Sequence, residues 1–210
     1  MVVSNGLTKG SAIGNDKQQV ITMDLGILLT VGILALDFVL SIWNSYAAGY
    51  NFGMLRKQDS NFGLIYAIFA LMMGVVGLIY VIAIAIGFAL YAIGSISLDV
   101  VNLLLAYNFL VFGGLITFLG VGITIQTWMI AIKTHNKWAI GASIWNTFAS
   151  IWNVFNYISE FSTMTGIIKS ESKDTKDEGS VIIIIIVAVI IALLLSYVAF
   201  HAGNSKAKKE

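Results

Sequence analysis

Apolar residues fill four long runs of the chain, and a short polar break follows each of the runs. The runs extend over residues 20–52, 61–93, 98–132 and 137–168. Gly94-Ser95 after the second run predicts a turn, and Ser97 is a candidate N-cap for the third. At about 33 residues each, the four runs would form helices of roughly 50 Å, whereas a bilayer core needs only about 20 residues. The pattern therefore predicts four transmembrane helices that tilt or project from the membrane.

A fifth apolar run, residues 181–200, lies between a charged linker (169–180) and a basic tail (201–210). A polar tail, residues 1–19, precedes the first run and does not resemble a cleavable signal peptide. We expect an all-α polytopic membrane protein in which residues 20–168 form an up-down bundle of four long transmembrane helices. Because the fifth run begins without glycine or polar residues, we expect a C-terminal transmembrane helix that faces lipid and attaches loosely to the bundle.

The composition supports the membrane assignment and limits the kinds of partner that the chain is expected to bind. The chain is 58% hydrophobic and 11% charged, whereas soluble domains are about 25% charged. The net charge of +1 gives no electrostatic reason for a nucleic-acid partner. We expect the partners to be the lipid bilayer together with further copies of this chain or other membrane subunits.

The distribution of basic residues predicts the orientation of the five spans. Short connections make successive helices antiparallel. One side of the membrane then collects seven basic residues: Arg56, Lys57, Lys133, Lys137, Lys206, Lys208 and Lys209. The other side collects five: Lys9, Lys17, Lys169, Lys173 and Lys176. Since cytoplasmic loops are enriched in Lys and Arg, the N-terminus is predicted outside and the C-terminus in the cytoplasm.

Small residues follow one face of the second span and one face of the third. Those of the second span are Gly63, Ala67, Ala70, Gly74 and Gly77. Those of the third are Gly113, Thr117, Gly120, Thr124 and Thr127. Because close backbone approach is a main source of attraction between helices in lipid, both faces are predicted to be packing seams.

A short internal repeat links the first and fourth spans. Residues 41–51 read SIWNSYAAGYN, and residues 143–153 read SIWNTFASIWN. Duplication and chance recurrence both explain the similarity. The first and fourth helices of an up-down bundle are neighbours, and the two copies fall at similar depth. We therefore expect the two Trp-Asn pairs to face each other.

Polar side chains continue from the repeat along both helices. The predicted polar seam consists of Asp37, Ser41, Asn44, Asn146, Ser150, Asn153 and Glu160. By depth, Asn44 should pair with Asn146, and Asp37 should lie near Asn153. Interhelical hydrogen bonds are a common means of holding helices together, so the seam could equally be structural.

Asp37 is the most informative single residue because it lies near the middle of the first run. No Lys or Arg lies inside any span to neutralise it. A bare carboxylate there costs at least about 3 kcal/mol, and acids within the membrane are functional candidates by default. The alternative is a protonated Asp37 that hydrogen-bonds to Asn153 or Ser150 and locks two helices together.

Neither catalytic nor metal-binding chemistry is indicated. His135 and His201 have no ligand spacing, cysteine is absent, and no phosphate-binding loop or nucleophile motif occurs. We therefore expect no enzyme, no metal and no cofactor. Two functions remain: a small channel or transporter for a proton or other cation that uses the seam, or a non-catalytic accessory subunit of a larger membrane complex. The channel or transporter needs a hydrated seam, whereas the accessory subunit needs a dry one.

Overall fold

The computed structural model describes residues 9–55, 61–135, 137–171 and 175–209, with side chains in 30–55, 63–135, 137–170 and 177–209. The helices are α1 (Lys9–Met54), α2 (Asn61–Ala92), α3 (Leu98–Asn108), α4 (Gly114–Thr134), α5 (Lys137–Glu171) and α6 (Thr175–Lys209). A π-helical segment, Phe109–Gly113, joins α3 to α4. Residues 1–36 and 37–210 form two separate compact units, and the packing described below lies within the second.

The predicted all-α membrane fold is confirmed. α3, the π-helical segment and α4 form one continuous helix, Leu98–Thr134, so the described residues contain five long helices. Four helical stretches are long and apolar enough to cross a membrane: Thr30–Met54, Gly63–Ala92, Leu98–Thr134 and Asp177–Lys209. α5 is not among these four, because its many Ser, Thr, Asn and Trp residues carry polar atoms that lower its hydropathy.

The helices extend beyond the predicted apolar runs. α6 includes the last part of the predicted linker and almost all of the predicted basic tail. Its first turn carries Asp177 and Glu178, and its last turn carries Lys206, Lys208 and Lys209. This arrangement of charge stabilises the helix dipole and favours helix up to both ends. Similarly, α1 begins at Lys9, inside the predicted polar tail, of which residues 1–8 lie outside the described part.

The turn before α3 forms as the sequence indicates. Gly94 adopts a left-handed conformation with φ 73°, which glycine accommodates without steric cost. Ser97 then caps α3, and its Oγ accepts the Val100 N–H at 3.3 Å. Both features of the predicted turn are confirmed.

The helix α2 lies at the centre of the bundle. Its packing against α3 and α6 forms the main buried cluster, which includes Leu78, Ile79, Ile82, Leu103, Leu104, Val181 and Ile184. Its small-residue face packs against α1, where a Cβ at Gly74 would overlap Ser45 Oγ and a Cβ at Gly77 would overlap Ser41 Oγ. The predicted packing seam on this span is confirmed, and its partner is α1.

The small-residue face of α4 packs against α5. Gly120 lies beside Ser150, and Thr124 Oγ1 lies 2.8 Å from Ser150 Oγ. Thr124 Oγ1 also donates to the Asn146 carbonyl at 3.0 Å. The predicted seam on this span is confirmed too, and it brings the polar face of α5 onto the threonines of α4.

The expectation that the fifth run attaches loosely was wrong, because α6 packs into the bundle beside α1. Ser45 Oγ donates to Ser196 Oγ at 3.1 Å, Gly49 lies directly against the backbone of Phe200, and Gly203 lies against the carbonyl of Tyr46. Small buried residues make this approach possible: Ala188, Ala192, Ser196, Ala199, Gly203 and Ala207. Their common face becomes visible only when the helix is followed beyond its Ile-rich beginning.

Gly203→Ala tests the close approach of α1 and α6. A Cβ at Gly203 would overlap the Tyr46 carbonyl and lie 2.8 Å from the Tyr50 nitrogen. Overpacking of this kind costs about 1–3 kcal/mol, and we expect that loss in the free energy of unfolding, measured by SDS titration in micelles with circular dichroism. Gly141→Ala is the matched control, because nothing lies within 4 Å of a Cβ there. Equal stability of the two variants would contradict the packing.

Candidate functional site

Asp37 lies beside the centre of α2. Its side chain is half-buried and interacts electrostatically with Tyr80, and its backbone carbonyl accepts the Ser41 hydroxyl at 2.7 Å. Tyr80 lies near the middle of the apolar stretch Gly63–Ala92. The carboxyl group is therefore held near the mid-depth of the bundle.

Asn108, near the end of α3, also contacts Tyr80. It is fully buried, and its Nδ2 donates to the Tyr80 carbonyl at 2.8 Å. Its Oδ1 is also buried and has no hydrogen-bond partner among the described residues. A buried acceptor without a donor costs about 1–3 kcal/mol, so this oxygen is suited to a water molecule or another small donor.

The π-helical segment follows Asn108 directly. Tyr157 of α5 donates its hydroxyl to the Leu110 carbonyl at 3.0 Å and stacks on Phe109 with the ring centroids 5.5 Å apart. Single-turn π segments within α-helices are frequent at functional sites. We name the set Asp37, Tyr80, Asn108 and Tyr157 the midplane layer. Its contacts run from α1 through α2 and α3 to the π segment and α5.

The two halves of the predicted polar seam pack against different helices. Ser41 is buried against Gly77 of α2. Asn146 donates its Nδ2 to Thr127 Oγ1 at 3.4 Å, and Ser150 is paired with Thr124, so the α5 half is bonded to α4. The structure therefore brings neither of these α5 residues to α1 through a hydrogen bond.

The remaining seam residues take separate positions. Asn44 and Asn153 are half-buried, and Glu160 is exposed on α5. The expected pairing of Asn44 with Asn146, and of Asp37 with Asn153, does not occur among the hydrogen bonds of the described residues. α1 instead uses its serines to pack closely on α2 and α6, while the threonines of α4 bond to Asn146 and Ser150 of α5.

The two tryptophans of the repeat do not face each other across the bundle. Trp43 is 62% exposed and Trp145 is 66% exposed. α1 and α5 do approach each other at one end of the bundle, where Asn51 and Ala142 line the same cavity. The first and fourth spans, which were predicted to be neighbours, therefore lie beside each other at this end of the bundle.

Sequence reasoning missed Tyr80 and Asn108. Asn108 had a visible signal, since it interrupts the apolar sequence LLLAYNFLVF, where a buried amide needs a partner. The π-helical segment had no such signal, because neither proline nor an inserted polar residue marks it. Tyr157 was visible on the polar face of the fourth run, but its contact with Leu110 depends on the π segment.

The oxygen atoms of the midplane layer suit a proton or a small hard cation rather than a transition metal. No group of three His, Asp or Glu side chains that could hold a metal ion occurs in the described part of the chain. Fold and site together define a polytopic α-helical membrane protein with a polar layer at mid-depth. No protein-family model, no curated protein and no solved structure matches the chain.

Proposed function

We propose that this protein is a small channel or transporter that carries a proton, or another small cation, across a membrane, with Asp37 as the residue that accepts it. The observation that carries the proposal is the position of Asp37, half-buried at mid-depth beside Tyr80. Transport sites commonly lie near the midplane, and intramembrane carboxyl groups commonly serve as proton relays.

The side chain of Tyr80 is chemically suited to this role, because its hydroxyl group can both donate and accept a hydrogen bond. Asn108, which bonds to the Tyr80 carbonyl, contributes a buried oxygen that lacks a donor among the described residues. A charged Asp37 at this depth costs several kcal/mol unless it binds a cation. Loading with a proton or a cation therefore removes an unfavourable charge, which is the property that a carrier group requires.

Asp37→Asn should abolish flux while the protein still inserts and folds, because the amide keeps the size of the side chain but cannot exchange a proton. Flux is measured in proteoliposomes with an enclosed pH-sensitive dye and an imposed potential. Asp99→Asn is the matched control, since Asp99 is an exposed acid in the first turn of α3. Wild-type flux in Asp37→Asn, with circular dichroism unchanged, would refute the assignment.

We also propose that α5 crosses the membrane, although its composition is less apolar. Its bonds run from Thr127 near the end of α4 to Leu110 beside α3, so it lies antiparallel along that whole helix. The end of the bundle where α4 finishes carries Lys133, Lys137, Lys206, Lys208 and Lys209, and we name it the lysine end.

The concentration of lysine residues favours the lysine end as the cytoplasmic one. Lys208→Cys tests this orientation, because the chain has no cysteine of its own that would react. An impermeant maleimide should leave this variant unmodified in intact cells and modify it in inverted vesicles. Modification in intact cells would reverse the orientation.

A role as an accessory subunit remains the second candidate, and the outer face of α5 favours it. Trp145, Phe148, Trp152 and Phe155 are each at least 64% exposed. Aromatic side chains of this size are enriched at protein interfaces as well as at lipid. Purification from the native membrane in mild detergent, with mass spectrometry of what co-elutes, separates the two functions. A stoichiometric partner that Trp152→Ala releases would favour the accessory role.

A further inference from the structure

Glu160 is an acidic side chain on the outer surface of the bundle, at the depth of the midplane layer. It lies three residues beyond Tyr157, which is about 4.5 Å along α5. The Tyr157 hydroxyl donates to the carbonyl of Leu110, a residue of the membrane-spanning stretch Leu98–Thr134, at 3.0 Å. Glu160 itself is exposed. An acid therefore lies on the outside of the molecule, deep within the span that we propose for α5.

The surface of the bundle is apolar on either side of this depth. Val111 is exposed just beyond Leu110, in the direction of the lysine end. Phe88 is exposed on α2, eight residues beyond Tyr80 in the opposite direction. Large apolar side chains that face outward at successive depths of a spanning bundle indicate surrounding hydrocarbon. Glu160 is the exception on this surface.

The chain offers no basic residue that could neutralise Glu160. On α5 the next one is Lys169, nine residues further along the helix, at a distance of about 14 Å. The five apolar runs contain no Arg, and their only Lys is Lys137 at the first position of the fourth run. A second copy of this chain in the same orientation therefore cannot place a cation opposite Glu160. A carboxylate without a partner is among the costliest groups to expose to hydrocarbon.

The exposed face of α5 combines aromatic rings with this carboxyl group. Trp152, Asn156 and Glu160 are separated by four residues each, so they lie along one side of the helix. The hydroxyl groups nearby can be satisfied within α5, as Ser159 shows by donating to the Phe155 carbonyl at 2.7 Å. The carboxyl group has no such solution. Aromatic anchors beside an acid are typical of a protein interface, where Lys or Arg pairs with the acid.

We propose that this face of α5 binds a transmembrane helix of a different membrane protein, and that a Lys or Arg near the middle of that helix pairs with Glu160. We name Trp145, Phe148, Trp152, Phe155 and Glu160 the docking face. The inference rests on the proposed crossing of the membrane by α5. It makes the accessory role specific, because it names the charge that the partner carries, and it does not depend on transport through Asp37.

Thiol labelling tests the depth of the docking face, because the chain has no cysteine of its own. Ser159→Cys places a thiol beside Glu160, and Ser170→Cys is the matched control near the end of the same helix. Both serines are exposed. In native membranes opened on both sides, an impermeant maleimide should modify Ser170→Cys at least about tenfold faster, because thiolates form in water and not in hydrocarbon. Equal rates, or faster modification of Ser159→Cys, would overturn the proposal.

Photocrosslinking in native membranes tests the identity of the occupant. The photoreactive residue p-benzoylphenylalanine replaces Trp152 and, in the matched control, Trp43 of α1, which is 62% exposed. We expect the probe at position 152, and not the one at position 43, to crosslink to a membrane helix that contains Lys or Arg. Crosslinks to lipid alone, to a second copy of this chain, or to a helix without a basic residue would overturn the proposal.

The dependence of that crosslink on charge tests the pairing itself. Glu160→Gln should lower the crosslink yield at least about tenfold, because it leaves the partner's charge without a counter-charge away from water. Asp99→Asn, at an exposed acid in the first turn of α3, should leave the yield unchanged. Glu160→Lys should abolish the crosslink, and a Glu in place of the partner's basic residue should restore it.

These variants also separate the inference from the functions proposed above. An unchanged yield in Glu160→Gln would overturn the pairing, even if Trp152→Ala releases a stoichiometric partner and the accessory role stands. Full flux in Asp37→Asn would refute transport through Asp37 and leave the docking face unaffected.

Discussion

Within a bilayer no polar group can turn to bulk water, so each must find a partner inside the protein, and this constraint organises the bundle. Most hydroxyl groups meet it within their own helix. Ser41 donates to the Asp37 carbonyl, Thr117 to the Gly113 carbonyl and Ser143 to the Ala139 carbonyl, each one turn back. Few buried side-chain oxygens among the described residues lack a hydrogen-bond partner. One of them is Asn108 Oδ1, which belongs to a fully buried residue that bonds to the Tyr80 carbonyl. For this reason the midplane layer stands out as a site.

Close backbone packing holds this layer in place. α2 presents glycine and alanine to α1, and α1 presents Ser45 and Gly49 to α6, so three helices are tied together through contacts that larger side chains would prevent. Such contacts leave little room for relative movement of the helices on the lysine-end side of Asp37. The π-helical segment and the unpartnered Asn108 oxygen are the less regular part of the same core. A rigid frame around an irregular polar layer is an arrangement suited to a binding site at mid-depth.

The two candidate functions depend on different parts of the molecule, namely the polar interior and the outer face of α5. Transport depends on the polar interior, where Asp37 has no cationic neighbour at its depth in the described spans, and on a hydrated connection to one surface. The accessory role depends on the outer face of α5, where Trp152 and Phe148 are exposed. α5 contributes to both, since its inner face bonds to the threonines of α4. The same helix thus bonds to the interior through one face and exposes large aromatic side chains on the other.

The sequence by itself determined the number of long helices, the capped turn at Ser97 and the closely packing faces of α2 and α4, because apolar runs and small-residue spacing are local properties. It also marked Asp37 as an uncompensated acid. Only the tertiary structure decided which faces pair, because one small-residue face can accept any other, and so α1 packs with α2 and α6 while α5 packs with α4. The electrostatic interaction of Asp37 with Tyr80, the unpartnered Asn108 oxygen and the π-helical segment all follow from that pairing, and no local pattern encodes it.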